Sequence, residues 1–300
     1  MEYSKARKLS ANRFKRLTGV QKRTFKQMVE LVKNEEKKKK KVGCPCKLRI
    51  EDQILMALQY LREYRTQYHI GTDWGVSEST VCRTTQKIEN SLIRSGVFSL
   101  PGKKELRQKG TEEKVVAMDV TESPIEKPKE NQKNYYSGKQ KEHTLKTQII
   151  VDLKSQKIIC LASGKGRVHD FKLFQNSGVR VGDLIKMIAD KGYQGIAKIH
   201  KLSETPIKRK KGKKLSKEEK QYNRLLNRLR VVVEHVNRRL KIFRILSSTY
   251  RNRHRRFGLR ANLIAGIYNY ELETKELKTR SEEHRLNSSH SRASRMPSSA

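Results

Sequence analysis

Apolar positions recur along this chain in two rhythms, a helical one towards each end and a strand-like one between them. In EDQILMALQYLREYR (Glu51 to Arg65), Ile54, Leu55, Leu58 and Leu61 fall on one face of a helix, and Phe25, Met28 and Leu31 give VQKRTFKQMVELVK a similar pattern within a helical lead-in from Arg13 to Lys33. The next unit, TQYHIGTDWGVSESTVCRTTQKIENSLI, reads as a short helix, a turn at Gly75-Val76-Ser77 and a second helix to about Ile93. Ser77 is placed to cap the second helix, and Val81, Thr85, Ile88 and Leu92 form its inward face. Ser79, Thr80, Arg83 and Lys87 are left facing outward.

The rhythm changes at KVVAMDVTE (Lys114 to Glu122), which is apolar on both alternating faces, as a central strand covered on both sides would be. KTQIIVDL and KIICLASG follow as two strands joined by a short turn, and GRVHDFKLF begins a helix with Asp170 as its expected N-cap. DLIKMIADKGYQG runs from a short apolar segment into Asp190 and a glycine turn, and a last strand is expected near Glu204 to Ile207. A long helix then spans Tyr222 to Leu246. At about 100° per residue, Leu225, Leu229, Val232, Val236 and Leu240 form its core stripe, and Arg230, Glu234, Asn237 and Lys241 its polar one. ANLIAGIYNY closes the fold near Leu272, and from about Ser281 the chain turns Ser-, Arg- and His-rich without periodicity, as a disordered, non-native tail would.

Three acids stand out against this pattern. Asp119 and Asp190 end apolar, strand-like runs, where open α/β sheets place their chemistry. An ionised Asp buried there without a partner costs several kcal/mol, so Asp119 calls for a cation, a hydrogen-bond network or a functional role. With Glu234 on the long helix, the two aspartates make an all-oxygen set suited to Mg²⁺ or Mn²⁺, hard cations that leave positions open for phosphate and water. That is the pattern of two-metal phosphoryl transfer.

Charge supplies the partner. Sixty-nine Lys and Arg against 31 Asp and Glu give a formal net charge of +38, a field that draws polyanions through counterion release. Nucleic acid is therefore the leading partner; the charge alone would also suit a ribosomal or membrane-surface protein, which the acid-lined α/β pattern does not. Ser79, Thr80, Arg83 and Lys87 are the candidates to meet double-stranded DNA from the helix-turn-helix, and Arg230 and Lys241 to grip phosphates beside the acids. Cys44, Cys46, Cys82 and Cys160 have no zinc-type spacing, and the sequence offers neither a signal peptide nor an apolar span of roughly 20 residues. The expected setting is a reducing cytoplasm, without membrane contact. The expected domains are a helical lead-in and Lys-rich linker at 1–42, a helix-turn-helix domain at 43–105, a catalytic α/β domain at 111–272 and the tail at 281–300.

Asp119 in AMDVTESPIEKP, Asp190 in ADKGYQG and Glu234 in RVVVEHVNRRLKIFRIL together resemble an insertion-sequence transposase of the IS5 type, within the DDE superfamily. Around Glu234 the related Tyr, Arg, Glu and Lys pattern is matched at Arg230, Glu234 and Lys241, whereas Asn227 stands at its Tyr position. The resemblance implies a ribonuclease-H-like catalytic domain, with a mixed central sheet flanked by helices, behind an all-α helix-turn-helix domain. It also implies two Mg²⁺ (or Mn²⁺) ions held by Asp119, Asp190 and Glu234, cleavage at the element's terminal repeats, transfer of the freed strand to target DNA, and a homo-oligomer on DNA. A DDE-type nuclease without strand transfer and an inactive helix-turn-helix DNA-binding protein are the alternatives.

Overall fold

The computed structural model describes residues 2–38, 46–107, 114–209, 212–252 and 254–293, with side chains described as far as 276. The end of the Lys37–Lys41 block, Cys44-Pro45, the boundary residues around Gly110, Lys210-Lys211 of the basic arm and residues 294–300 lie outside the described residues.

The helical half begins with α1 (Tyr3–Ala6), α2 (Ala11–Thr18) and α3 (Lys22–Lys37). The expected single lead-in helix is thus broken at Gly19, whose φ of +82° ends α2; a Cβ at Gly19 would stand 2.7 Å from the Phe243 ring. α4 (Ile50–Glu63) buries Ile54, Leu55, Leu58 and Leu61 as the periodicity predicts. α5 (Gln67–Trp74) and α6 (Glu78–Arg94) meet at the turn Gly75-Val76-Ser77, where the Ser77 hydroxyl accepts the Thr80 amide and Val81, Thr85, Ile88 and Leu92 are buried.

The sheet follows. β1 (Lys114–Pro124) precedes the short α7 (Gln132–Tyr135) and β2 (Tyr136–Ser137), then β3 (Glu142–Asp152), β4 (Ile158–Lys165), α8 (Asp170–Asn176), β5 (Ile185–Ile188) and β6 (Ser203–Glu204). β4 pairs with β3 and β3 with β1, both antiparallel, while β1 with β5 and β5 with β6 are parallel. The spatial order β4-β3-β1-β5-β6 is the mixed, helix-flanked sheet of a ribonuclease-H-like domain. Its last helices are α9 (Lys217–Lys241) and α10 (Phe257–Ala293). α10 continues past Leu272 as far as Ala293, through much of the stretch read as a disordered tail; Leu272 to Leu286 is rich in Glu, Leu, Lys and Arg, good helix formers, while the Ser- and His-containing residues after it have no such propensity.

α9 starts earlier than the apolar pattern indicates, because Ser216 and Glu219 form a reciprocal capping box, and it stops at Lys241 rather than Leu246. Its core stripe is also rotated from expectation. Leu225 and Leu229 are 53% and 45% exposed, and the buried line runs through Asn223, Leu226, Val233, Val236, Asn237 and Leu240. The rotation brings Arg230 and Asn237 onto β1, where the largely covered Asp119 carboxylate takes a hydrogen bond from each.

The helix-turn-helix is not hung on a free tether. Glu89 of α6, fully buried, accepts from Arg256 Nε at 2.8 Å and from Arg260 Nε at 2.7 Å, and Arg260 also donates to the Tyr250 hydroxyl. One apolar core runs from α2, α3, α4 and α6 through α9 and α10 to one face of the sheet; a second, on the other face, holds Met118, Ile150, Phe174, Met187 and Tyr193.

Candidate active site and nucleic-acid interface

β1 and β5 run parallel with Ala117 opposite Ile188, and both acids lie two residues further on. Asp190 is just past the end of β5, whereas Asp119 sits within β1, still paired to Ile149 of β3, rather than at the strand end its apolar run suggested, because β1 continues along β3 to Pro124. Strand spacing of about 4.8 Å sets them side by side. Asp190 turns at once into a 3₁₀ turn at Lys191–Tyr193, its Oδ1 accepting the Gly192 amide at 2.8 Å. Glu234 comes from the middle of α9, on an exposed position, close enough for its charge to act on Asp119.

Asp119 is the centre of this group. Arg230 Nη2 donates to its Oδ1 at 3.5 Å and Asn237 Nδ2 to its Oδ2 at 3.1 Å. Burial raises its carboxyl to about 6, with Arg230 opposing the rise and the charges of Asp190 and Glu234 adding to it. Lys241 lies in the same field; burial lowers its pKa, and Asp119 and Glu122 pull it back up.

A group of mutually repelling carboxylates with a raised member is an arrangement that a divalent cation relieves. Arg230 Nε, Asn237 Oδ1 and the Tyr193 hydroxyl are buried without a hydrogen-bond partner among the described residues, which leaves polar capacity around the acids for a hydrated ion or phosphate. The donor set therefore fits Mg²⁺ or Mn²⁺. Among the described residues no three acids stand close enough together to hold one ion, and Glu234 is exposed.

Two side chains behave otherwise than the sequence indicates. His169, not Asp170, holds the N-cap position of α8, and the Asp170 side chain turns to Lys146, which donates to its Oδ1 at 2.7 Å. A cation on the neighbouring strand outcompetes a local cap. Lys87, expected to face DNA, donates to Gln53 at 3.0 Å and pairs with Glu36 at 3.0 Å. Ser79 and Arg83 are exposed on α6, as is Gln86, and Thr80 shares a hydroxyl contact with Ser77. The polar stripe of α9 pointed to Asn237, but not to its bond with Asp119; Tyr193 and Lys146 had no signal of their own.

Sheet order, an acid on β1, a second just past β5 and a glutamate-bearing helix beside them match the ribonuclease-H-like architecture of nucleic-acid-cleaving enzymes. The DDE superfamily endonuclease family matches residues 118–269, and the helix-turn-helix of DDE superfamily endonuclease matches residues 46–98. The chain belongs to the DDE superfamily of endonucleases. It is similar to the probable transposase for insertion sequence element IS702 of Microchaete diplosiphon, 68% identical over 275 residues that make up 92% of this chain and 100% of the relative. It is also similar to the putative transposase for insertion sequence element IS112 of Streptomyces albus G, 25% identical over 76% of this chain and 83% of the relative. Neither name specifies the IS5 type. No solved structure matches the chain significantly. Among the described residues, no helix is long and apolar enough to cross a membrane.

Proposed function

We propose that this chain is the transposase of a bacterial insertion sequence, acting as an oligomer that binds the element's terminal repeats, cuts DNA with divalent metal ions and joins the freed end to target DNA. The observation that carries the reading is that Asp119 on β1 and Asp190 just past β5 lie at matching places on neighbouring parallel strands, with Glu234 of α9 near enough for its charge to act on Asp119. Asp119, Asp190 and Glu234 hold the ions, and bound Mg²⁺ or Mn²⁺ supplies Lewis acidity for in-line displacement at phosphorus.

The chain's own residues do the rest. Arg230 and Asn237 fix the two oxygens of Asp119 so that the carboxylate presents a constant orientation. Lys241, half-buried beside Asp119 and Glu122, offers an ammonium to the phosphate being cut. In the first step water adds to phosphorus as the bond to the element's 3′ oxygen breaks; in the second the 3′-hydroxyl takes the place of water and attacks the target strand. Ser79, Thr80 and Arg83 on the free end of α6 meet the repeat. Lys87 can do so only by giving up Glu36 and Gln53.

The test is a nicking and strand-transfer assay on DNA bearing the ends of the encoding element, with Mg²⁺ or EDTA, for the wild type and Glu234→Gln. Metal-dependent joined products that the variant loses are expected. Cleavage without joining would replace this reading with a nuclease, and joining by Glu234→Gln at the wild-type rate would remove Glu234 from the site.

A further inference from the structure

Gly192 marks a second pair of acids. A Cβ there would stand 3.0 Å from Asp190 Oδ1 and 3.1 Å from Asp170 Oδ2, so two carboxylates from separate elements flank one point. Asp170 is not spent on its helix, since it makes no cap bond; Lys146 holds it at 2.7 Å. Lys146 is itself 8% exposed, donates to the Val168 carbonyl at 2.8 Å and lies 3.9 Å from Glu122. So deep an ammonium serves the interior rather than DNA in solvent.

Tyr193, next to Gly192, supplies an independent observation. It is fully buried, and its hydroxyl has no hydrogen-bond partner among the described residues. Burial, followed by the charges of Asp170, Asp119 and Asp190 in that order, holds the phenol far above its usual range, so the hydroxyl is a neutral donor that feels all three carboxylates. A buried hydroxyl left unpaired costs about 1–3 kcal/mol, and a hydrated cation bridging these acids would give it a partner.

We propose that Asp170 is a fourth carboxylate of the cation centre, sharing a divalent ion with Asp190, and that Lys146 takes the ion's place on Asp170 when none is bound. The proposal rests on the reading of Asp119, Asp190 and Glu234 as the metal-holding acids. Four carboxylates also balance the charge of two divalent ions, which three do not.

Two variants move in opposite directions on this account. Mn²⁺ binding to the full chain, followed by the loss of the free-ion electron paramagnetic resonance signal, is compared for the wild type, Asp170→Asn, Lys146→Met and Asp119→Asn, with circular dichroism checking the fold. Asp170→Asn is expected to weaken binding of one ion about 10-fold or more. Lys146→Met, which removes the competing ammonium and leaves Glu122 its bond from Thr144, is expected to bind Mn²⁺ at least as tightly as the wild type. If Asp170 served only the ion pair, the two variants would behave alike, and that result overturns the proposal. Wild-type binding by Asp170→Asn alongside loss in Asp119→Asn would also overturn it while leaving the three-acid centre intact. Equal binding by the wild type and Asp119→Asn would remove the centre itself. Should Asp170→Asn fail to fold, Lys146→Met decides alone, weaker binding than wild type counting against the proposal.

Discussion

Replacing Asp119 with Asn should make the metal-free protein more stable at neutral pH while abolishing cleavage. Burial lifts this carboxyl from 3.8 to about 6, so over that interval the folded chain keeps a proton that the unfolded chain has lost. Below the unfolded value both states carry the proton and Asp119 costs nothing. As pH rises the cost grows, reaching about 1 kcal/mol at about pH 4.5 and levelling at about 3 kcal/mol above pH 6. Asparagine escapes this cost and fits the site. Its oxygen keeps the Arg230 bond, and a flip of the Asn237 amide would turn Oδ1, which has no partner among the described residues, towards the new NH₂. Urea unfolding in EDTA should therefore show Asp119→Asn more stable than the wild type by about 3 kcal/mol at pH 7.5 and by about 1 kcal/mol at pH 4.5. Adding Mn²⁺ should stabilise the wild type and close the gap. A variant less stable than wild type at pH 7.5, or a gap that does not shrink with acidity, would refute the argument from buried charge.

Three further outcomes follow from the contacts described. Glu89→Gln leaves Arg256 and Arg260 facing a neutral amide, and breaking so buried a pair costs about 3–5 kcal/mol, which should appear as a lower melting temperature and faster proteolysis between the helical half and the sheet. Gly192→Ala sets a methyl 3.0 and 3.1 Å from the Asp190 and Asp170 carboxylates, which must each shift by a few tenths of an ångström, so cleavage should fall about 10-fold with an unchanged circular dichroism spectrum; full activity would show that the site does not depend on their spacing. Arg83→Ala should weaken repeat binding more than Lys87→Ala, because Arg83 is exposed whereas Lys87 is held by Glu36 and Gln53; the opposite order in a gel-shift titration would show that Lys87 releases its partners on DNA.

The parts of this molecule that were legible in its sequence are those fixed by local rules. α6 could be read because Ser77 caps it and its buried positions keep a helical period, and β1 because its apolar residues fill both faces. Asp119 and Asp190 stood out because carboxylates at the ends of such runs need a reason. What was misread depended on partners far along the chain. The Leu225–Leu229 line and the Arg230–Asn237 line are both reasonable inward faces, and the choice was made by Asp119, more than a hundred residues upstream. Asp170 looked like a cap because nothing nearby reveals Lys146, 24 residues earlier on β3. The Glu89 clamp, whose arginines lie 167 and 171 residues away, follows no local pattern at all.

That clamp turns the protein into a ruler. Because α6 is bolted to the start of α10 by a buried ion pair and a shared apolar core, the interval from the outer face of α6, where the proposed function places the repeat, to the acids at β1, β5 and α9 belongs to the fold and not to a flexible tether. Each base pair inserted between recognition sequence and scission point shifts one relative to the other by about 3.4 Å and turns it by about a tenth of a helical turn. A repeat lengthened by a few base pairs would then still be bound, but would present the wrong phosphodiester, on the wrong side of the duplex, to the site.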